Sequence, residues 1–447
     1  MADYPSTGLE SCEYSFTNML LIDDHQRELL GRWKYNRLAD APISSRWSSS
    51  DEREAKAHRL HAYPARFPAL VAKSAFAHAR TQGIEVKRVA DVFCGSGTVA
   101  VEAAAEDLDF WGCDINPVAT LIARAKTVRL DPDRFAEAAR RVGERSPEAS
   151  ETSSLRPSAV ERLARWYEPQ QFLDLVKLRN SILSQVSNEL ELLAFDCAFS
   201  AILKAASQWR SRSTKPARDG TKRPASVGAA FHAQCASMAA AWAEMPSGSR
   251  ASVEIVRGCA TKAENPGAPI DMIVTSPPYA TSYEYADLHQ LSALWLEYVD
   301  DYRDLRAGFI GTASRRANLA KAMSDLNPIG LQVVFALYNR NRRLAEAMAA
   351  YFLDMQRTAQ RCHALLRSGG LAVFVIGNTQ FDGIRIDNAN HLVESLIDAG
   401  FENVRVIKRV LSNKPNTPYR LPSGRLSAAP TEMSIYSEEY VLMAQRR

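Results

Sequence analysis

The sequence predicts an α/β fold built on parallel strands, and three stretches carry that expectation. Residues 87–93 form a short apolar strand that breaks into Cys94-Gly95-Ser96-Gly97-Thr98 and then into a helical pattern from Val99 to Glu106. A second apolar run, Phe110 to Cys113, ends on Asp114 and is followed by a helical pattern over 117–127. A third, Met272-Ile273-Val274, ends on Thr275-Ser276-Pro277-Pro278-Tyr279. Strand, glycine turn, helix and strand in that order make a βαβ unit, with parallel strands and a right-handed crossover.

The other elements follow in chain order. Residues 1–57 read as an N-terminal arm with helix around 24–38, and 58–82 as a proline-bearing segment leading into a helix. The βα rhythm stops at 131–250, where Leu190, Leu193, Cys197, Ile202 and Leu203 fall near helical spacing. That stretch is expected to be a helical insertion with an exposed basic loop. Strands resume at 252–256 and 270–274, after which 280–345 reads as long and irregular, with a short helix near 287–298. A helix at 346–367, a strand at 371–376, a helix at 388–399 and strands at 402–410 and 438–445 complete the pattern. The last two strands are placed to pair antiparallel.

The 447 residues are enough for two to three domains. No apolar run approaches the roughly 18 residues a membrane span needs. The start, Met-Ala-Asp-Tyr-Pro-Ser, carries no signal-peptide pattern, so a cytoplasmic protein is expected. The seven cysteines include no Cys-x-x-Cys pair, which argues against a zinc site or disulfide framework.

The chemistry sits at the strand ends. Gly95 and Gly97 let the backbone approach a ligand closely. The full G-x-G-x-x-G pattern is absent because Ala100 occupies its last position, and no Gly-Lys-Ser/Thr loop occurs. A carboxylate at Asp114 suits two ribose hydroxyls. Downstream, Ser276 Oγ and the Pro277 carbonyl are acceptors for the N–H groups of an exocyclic amine, which favours the more tetrahedral nitrogen of a transition state. The two prolines fix φ and hold that carbonyl still. Tyr279 can stack on a base rotated out of a duplex. No Pro-Cys pair occurs, which argues against attack on a ring carbon by a cysteine. Tyr283, Tyr285, Asp287 and His289 follow closely enough to line a base pocket.

On these residues the chain resembles the S-adenosylmethionine-dependent amino-methyltransferases of DNA, which act on cytosine N4 or adenine N6. Asp91 to Thr98 is similar to their Asp-Pro-Phe-x-Gly-Ser-Gly-Thr motif, with Val92 where proline is usual. Gly112 to Pro117 resembles their ribose-binding strand end, Thr275 to Tyr279 their catalytic tetrapeptide, and His61 to Pro68 their N-terminal cofactor motif. The resemblance covers 60–130 and 250–447, and implies a methyltransferase domain over 58–130 and 251–447 with a class I methyltransferase fold, Rossmann-like, with a seven-stranded, mostly parallel sheet. It implies catalysis by Ser276, Pro277, Pro278 and Tyr279, and no metal. It implies S-adenosyl-L-methionine held by Tyr63, Pro64, Phe67, Asp91, Phe93, Gly95, Gly97, Thr98, Asp114, Ile115, Asn116 and Cys259. The family often has an acid after the third strand; here the stretch is Arg257-Gly258-Cys259-Ala260.

Serine at the first catalytic position implies cytosine N4. The alternatives are an adenine-N6 DNA enzyme or a guanine-N2 enzyme of transfer RNA. The motif order places 131–250 as a target-recognition domain. Its stretch 210–223 holds Arg210, Arg212, Lys215, Arg218, Lys222 and Arg223 against Asp219 alone. Residues 303–343, with Arg315 and Arg316, and 405–425 are also basic. The expected partners are double-stranded DNA and a cognate restriction endonuclease, with no membrane.

Overall fold

The computed structural model describes residues 38, 41–48, 54–211, 215–246, 248–262, 264, 266–280, 284–381, 383–410, 419–420, 426–427, 433–434 and 438–447. Most of the expected helix at 24–38, together with Arg212 and Tyr283, lies outside the described residues.

A seven-stranded sheet organises the chain. Its strands are Arg88–Asp91 (β1), Asp109–Asp114 (β2), Val253–Arg257 (β3), Ile270–Thr275 (β4), Leu366–Ile376 (β5), Phe401–Val410 (β8) and Glu438–Arg446 (β12), in the order β3-β2-β1-β4-β5-β12-β8. β1 to β5 pair in parallel, and β12 runs antiparallel between β5 and β8. The expected pairing of the last two strands is therefore observed. A two-stranded hairpin, Thr379–Phe381 (β6) and Ile384–Ile386 (β7), follows β5. Tyr419–Arg420 (β9), Leu426–Ser427 (β10) and Met433–Ser434 (β11) form a small separate sheet.

Side chains alternate across the parallel strands. Val89, Met272, Val274 and Val373 point to one face, where they pack with helices Ala69–Thr81 (α1) and Thr98–Ala105 (α2). Helix Pro117–Thr127 (α3) begins just after β2. Pro117 occupies the first helical position, and the Asn116 carboxamide oxygen accepts from Val118 N at 3.1 Å.

Between β2 and β3 the chain is helical, with α4 (Pro132–Arg145), α5 (Pro157–Ala164), α6 (Pro169–Gln185), α7 (Glu189–Ile202) and α8 (Val227–Trp242). These helices share one apolar cluster with α3 and with residues 286–309. Trp242 Nε1 donates to the Ala125 carbonyl at 3.1 Å, tying α8 to α3.

Two expectations need correction. Residues 280–345 are not mainly irregular: they hold helices Tyr285–Leu288 (α9), Gln290–Trp295 (α10), Leu319–Asp325 (α11) and Pro328–Tyr338 (α12), followed by Arg342–Leu365 (α13). Asn318, Asn327 and Asn341 cap α11, α12 and α13, a signal that the glycine and arginine content of the stretch conceals. β5 also begins at Leu366, before Gly369 and Gly370; Gly369 is left-handed, at φ +76°, and the register with β4 shifts nearby.

Residues Ala41–Arg447 form one compact unit. Its first residues extend the sheet: Ile43 bridges Lys408 in parallel, Ser44 N donates to Lys408 O at 3.0 Å, and Lys408 N donates to Pro42 O at 2.9 Å.

Candidate functional site

The turn after β1 is held from beneath. Cys94 N donates to Cys113 O at 3.0 Å, so the turn hangs from the end of β2, and Gly97 N donates to Cys94 O at 2.8 Å. Gly97 sits at φ +75°, and a Cβ there would stand 2.7 Å from the Ala123 methyl, so α2 and α3 touch backbone to side chain at that point. Gly95 is also left-handed, at φ +49°, and faces Tyr63, whose Cε1 lies 3.6 Å from where a Cβ would be. Thr98 is buried as the first residue of α2.

Asp114 closes the turn. Its Oδ2 accepts from Gly95 N at 2.9 Å and its Oδ1 from Asn116 N at 2.8 Å. A carboxylate offers about four acceptor positions, so two remain for ligand hydroxyls. Burial pushes this carboxyl up to about 6, and the two backbone N–H groups oppose that shift.

Asp91 lies deeper, at the end of β1. It accepts from Phe93 N at 3.0 Å and from Thr275 Oγ1 at 2.6 Å. The second bond fastens the glycine turn to the strand that carries Ser276. Burial pushes Asp91 up to about 7.

The end of β4 leans on the end of β5. Ser276 Oγ donates to Val375 O at 2.9 Å. Its only proton is thereby engaged, and its lone pairs remain to accept. Tyr279 is seated on Gly377, where a Cβ would come within 2.9 Å of its ring. Its hydroxyl donates to Glu439 Oε1 at 2.9 Å, Glu439 pairs with Arg409 at 2.9 Å, and Arg409 Nε donates to Trp47 O at 2.9 Å. Glu439 and Arg409 are buried. Burial and the neighbouring carboxylate keep the phenol protonated, with its pKa well above the usual value.

An aromatic group borders the turn. Tyr63 stacks with Tyr285 at 6.1 Å between ring centres and lies 5.2 Å from His289. His289 Nδ1 accepts from Asn116 Nδ2 at 2.6 Å, which places the proton of the neutral ring on Nε2. Burial holds His289 well below its usual pKa. Further out, Gly308, at φ +85°, crosses so close to Ile115 that a Cβ would stand 2.8 Å from its Cδ1.

The structure therefore brings Tyr63, Asp91, Gly95, Asp114, Ile115 and Asn116 to one end of the sheet, bonded through Thr275 to the Ser276–Tyr279 segment. Phe93 and Pro64 are half-buried, Phe67 packs against the sheet core, and Cys259 at the end of β3 contacts Thr261 Oγ1 at 3.2 Å. The expected DNA-contacting side chains divide. Arg210, Lys215, Arg223 and Arg316 are exposed. Three others have internal partners: Lys222 Nζ donates to Lys204 O and Trp209 O at 2.7 and 3.0 Å, Arg218 bonds Gln208, and Arg315 pairs with buried Asp354 at 2.6 Å. Sequence reasoning missed Glu439, Arg409 and Gly377. Each reaches the site through strand pairing, which leaves no local pattern.

A family model described as DNA methylase matches residues 18–124. The chain is similar to the Type II methyltransferase M.MvaI of Kocuria varians, with 22% identity over 418 residues, covering 86% of this chain and 90% of that protein. Among solved structures it is similar to TrmN from Thermus thermophilus, at 11% identity and a TM-score of 0.29, covering 88% of this chain and 52% of that one. The chain thus spans about half of TrmN's length. It is also similar to the rRNA methyltransferase aviRa from Streptomyces viridochromogenes, at 11% identity and a TM-score of 0.27, covering 86% and 88% of the two chains.

The fold is that of the class I methyltransferases. S-adenosylmethionine is the cofactor that the sequence resemblance implies. The residues fit it: two open acceptor positions on Asp114 suit a ribose, and the glycine turn gives close backbone approach beside it. No cluster able to hold a metal occurs among the described residues, and no helix among them is long and apolar enough to cross a membrane.

Proposed function

We propose that this protein is a DNA methyltransferase that modifies the exocyclic N4 amine of cytosine within a specific duplex sequence. One observation carries the choice of an amine: Ser276 Oγ gives its proton to Val375 O, so it faces substrate as an acceptor. Bound S-adenosylmethionine supplies an electrophilic methyl group. The chain supplies position and polarity. Ser276 Oγ and the Pro277 carbonyl accept the two amine N–H groups and draw the nitrogen lone pair out of conjugation with the ring. Tyr279, fixed by Glu439 below its hydroxyl, offers a ring face for the extruded base. Asp91 and Thr275 hold the cofactor turn and the catalytic strand in one register, so that bound methyl and amine meet without a search. The match of residues 18–124 to a DNA methylase family model, and the similarity to a Type II methyltransferase along most of both chains, support DNA as the substrate.

The test is transfer of labelled methyl groups to unmethylated genomic DNA, followed by nucleoside mass spectrometry. N4-methylcytosine is expected. N6-methyladenine alone would overturn the base assignment, and label confined to transfer RNA would overturn DNA itself.

A further inference from the structure

The β6–β7 hairpin has no role in the chemistry described so far, yet it grows out of the catalytic strand end. Val375, which accepts from Ser276, and Gly377, which seats Tyr279, are the last residues before its root. The root is clamped: Asn388 Nδ2 donates to Gly377 O at 2.9 Å, and Ala389 N donates to Asn378 Oδ1 at 2.9 Å. Thr379 pairs with Ile386, Gln380 with Arg385 and Phe381 with Ile384, and Gly383, just before the second strand, sits at φ +77°.

The hairpin has two faces. Thr379 and Ile386 are buried, and Phe381 and Ile384 half-buried, on the inner one. Gln380 and Arg385 stand exposed and directly opposite each other on the outer one. Their side chains have no hydrogen-bond or ion-pair partner among the described residues. Arg340 of the α12–α13 turn flanks the tip, with its guanidinium 3.8 Å from where a Gly383 Cβ would be.

Three physical matches identify the occupant of that outer face. The major groove of B-DNA, about 12 Å wide, admits a two-stranded ribbon. Opposed residues on such a ribbon carry Cβ atoms about 5 Å apart, close enough for their side chains to reach neighbouring base pairs. Arginine and glutamine are the side chains whose paired polar atoms match the major-groove edges of guanine and adenine. The ribbon extends about 10 Å from its root, so a duplex seated on it lies within reach of Ser276. The basic loop at 210–223 is less free for this task, since Arg218 and Lys222 are bonded internally.

We propose that the β6–β7 ribbon enters the major groove of the target duplex and reads its sequence, with Arg385 set against a guanine and Gln380 against an adjoining base pair. This rests on the reading of duplex DNA as substrate. The experiment uses the full chain with its cofactor. Sites methylated by the unaltered protein are mapped on genomic DNA, and Arg385→Ala and Gln380→Ala are then compared with it on the mapped site and on every single-base variant of that site. Both side chains are exposed, so thermal stability should not move. Loss of Arg385 should lower kcat/KM on the mapped site by about 5- to 150-fold and abolish discrimination at one G·C pair. Loss of Gln380 should relax a neighbouring pair. Uniform weakening across all sequences, with the salt dependence falling by about one phosphate contact, would show a backbone contact and overturn the proposal. Unchanged preference would overturn it too. Absence of methyl transfer to any DNA by the unaltered protein would instead overturn the substrate reading, and this proposal with it.

Discussion

In the proposed function, Ser276 is the residue on which the amine chemistry turns. Replacing it with alanine removes one of two acceptors, and kcat should fall by about 10²- to 10³-fold, in line with loss of one hydrogen-bonding group at a reacting centre. Cofactor affinity should hold, because Ser276 bonds β5 and not the glycine turn. Single-turnover methyl transfer beside a cofactor titration separates the two effects, and an unchanged kcat would move the amine elsewhere. Asp114 makes a pH prediction. Its carboxyl, held up to about 6 by burial, must be ionised to accept two hydroxyls. Cofactor affinity should therefore weaken as pH falls below about 6; equal affinity at pH 5 and 7.5 would exclude Asp114 as the ribose ligand. Stability has the opposite sign. Asp91 and Asp114 hold their protons more tightly folded than unfolded, so their stabilising contribution is complete below their unfolded values and is lost as pH rises through about 6 and about 7. Asp91→Asn should flatten the fall in urea midpoint of the cofactor-free protein between pH 5 and 8. The glycine turn, Asp114 and Ser276 were legible in sequence because each motif is local and its residue types follow from the chemistry. Glu439 was not: it is one glutamate at the start of a strand, meaningful only once β12 lies beside β5.

At the scale of elements, glycines mark where two pieces of chain meet. A Cβ at Gly97 would press on Ala123 at 2.7 Å from a left-handed backbone, so Gly97→Ala should destabilise by about 2–4 kcal/mol, from strain and overpacking together. Gly377 differs in kind. A methyl there would push the Tyr279 ring, at 2.9 Å, and not a helix. Gly377→Ala should lower the urea midpoint little while methyl transfer falls at least about tenfold, for a misplacement of the order of 1 Å. Loss of stability in parallel with activity would show that Gly377 serves packing alone. The parallel strands were readable from apolar runs ending in functional residues. The β6–β7 hairpin was overlooked even though Asp382-Gly383 is a strong hairpin dipeptide, because three-residue strands give too little alternation to register as a period. Helices α11 and α12 escaped notice for a related reason: arginine-rich sequence was read for its charge, while the asparagine caps that start these helices are single residues.

For the whole molecule, the decisive fact is a shared core. Phe135, Phe195, Phe199, Phe231 and Trp242 from the helical segment pack in one cluster with Leu121 and Ile122 of α3 and Trp295 of α10. α3 starts three residues after Asp114, so the helices of 131–250 press against the element that follows the carboxylate proposed to hold the ribose. Sequence could show that this segment is helical, because 3.6-residue spacing is internal to each helix. It could not show which face meets which helix, because that depends on partners a hundred residues apart. The consequence is cooperativity. Truncating Trp242 removes its bond to Ala125 O and leaves a cavity against Phe135, 4.8 Å away between ring centres. Trp242→Ala should therefore destabilise by about 3–5 kcal/mol. The loss should appear across the whole unit Ala41–Arg447: urea unfolding followed by tryptophan emission, by far-ultraviolet dichroism and by cofactor binding should shift together as a single transition. Two separated transitions, with cofactor binding retained after the first, would mean that the helical segment folds apart from the sheet and that the shared cluster does not couple them.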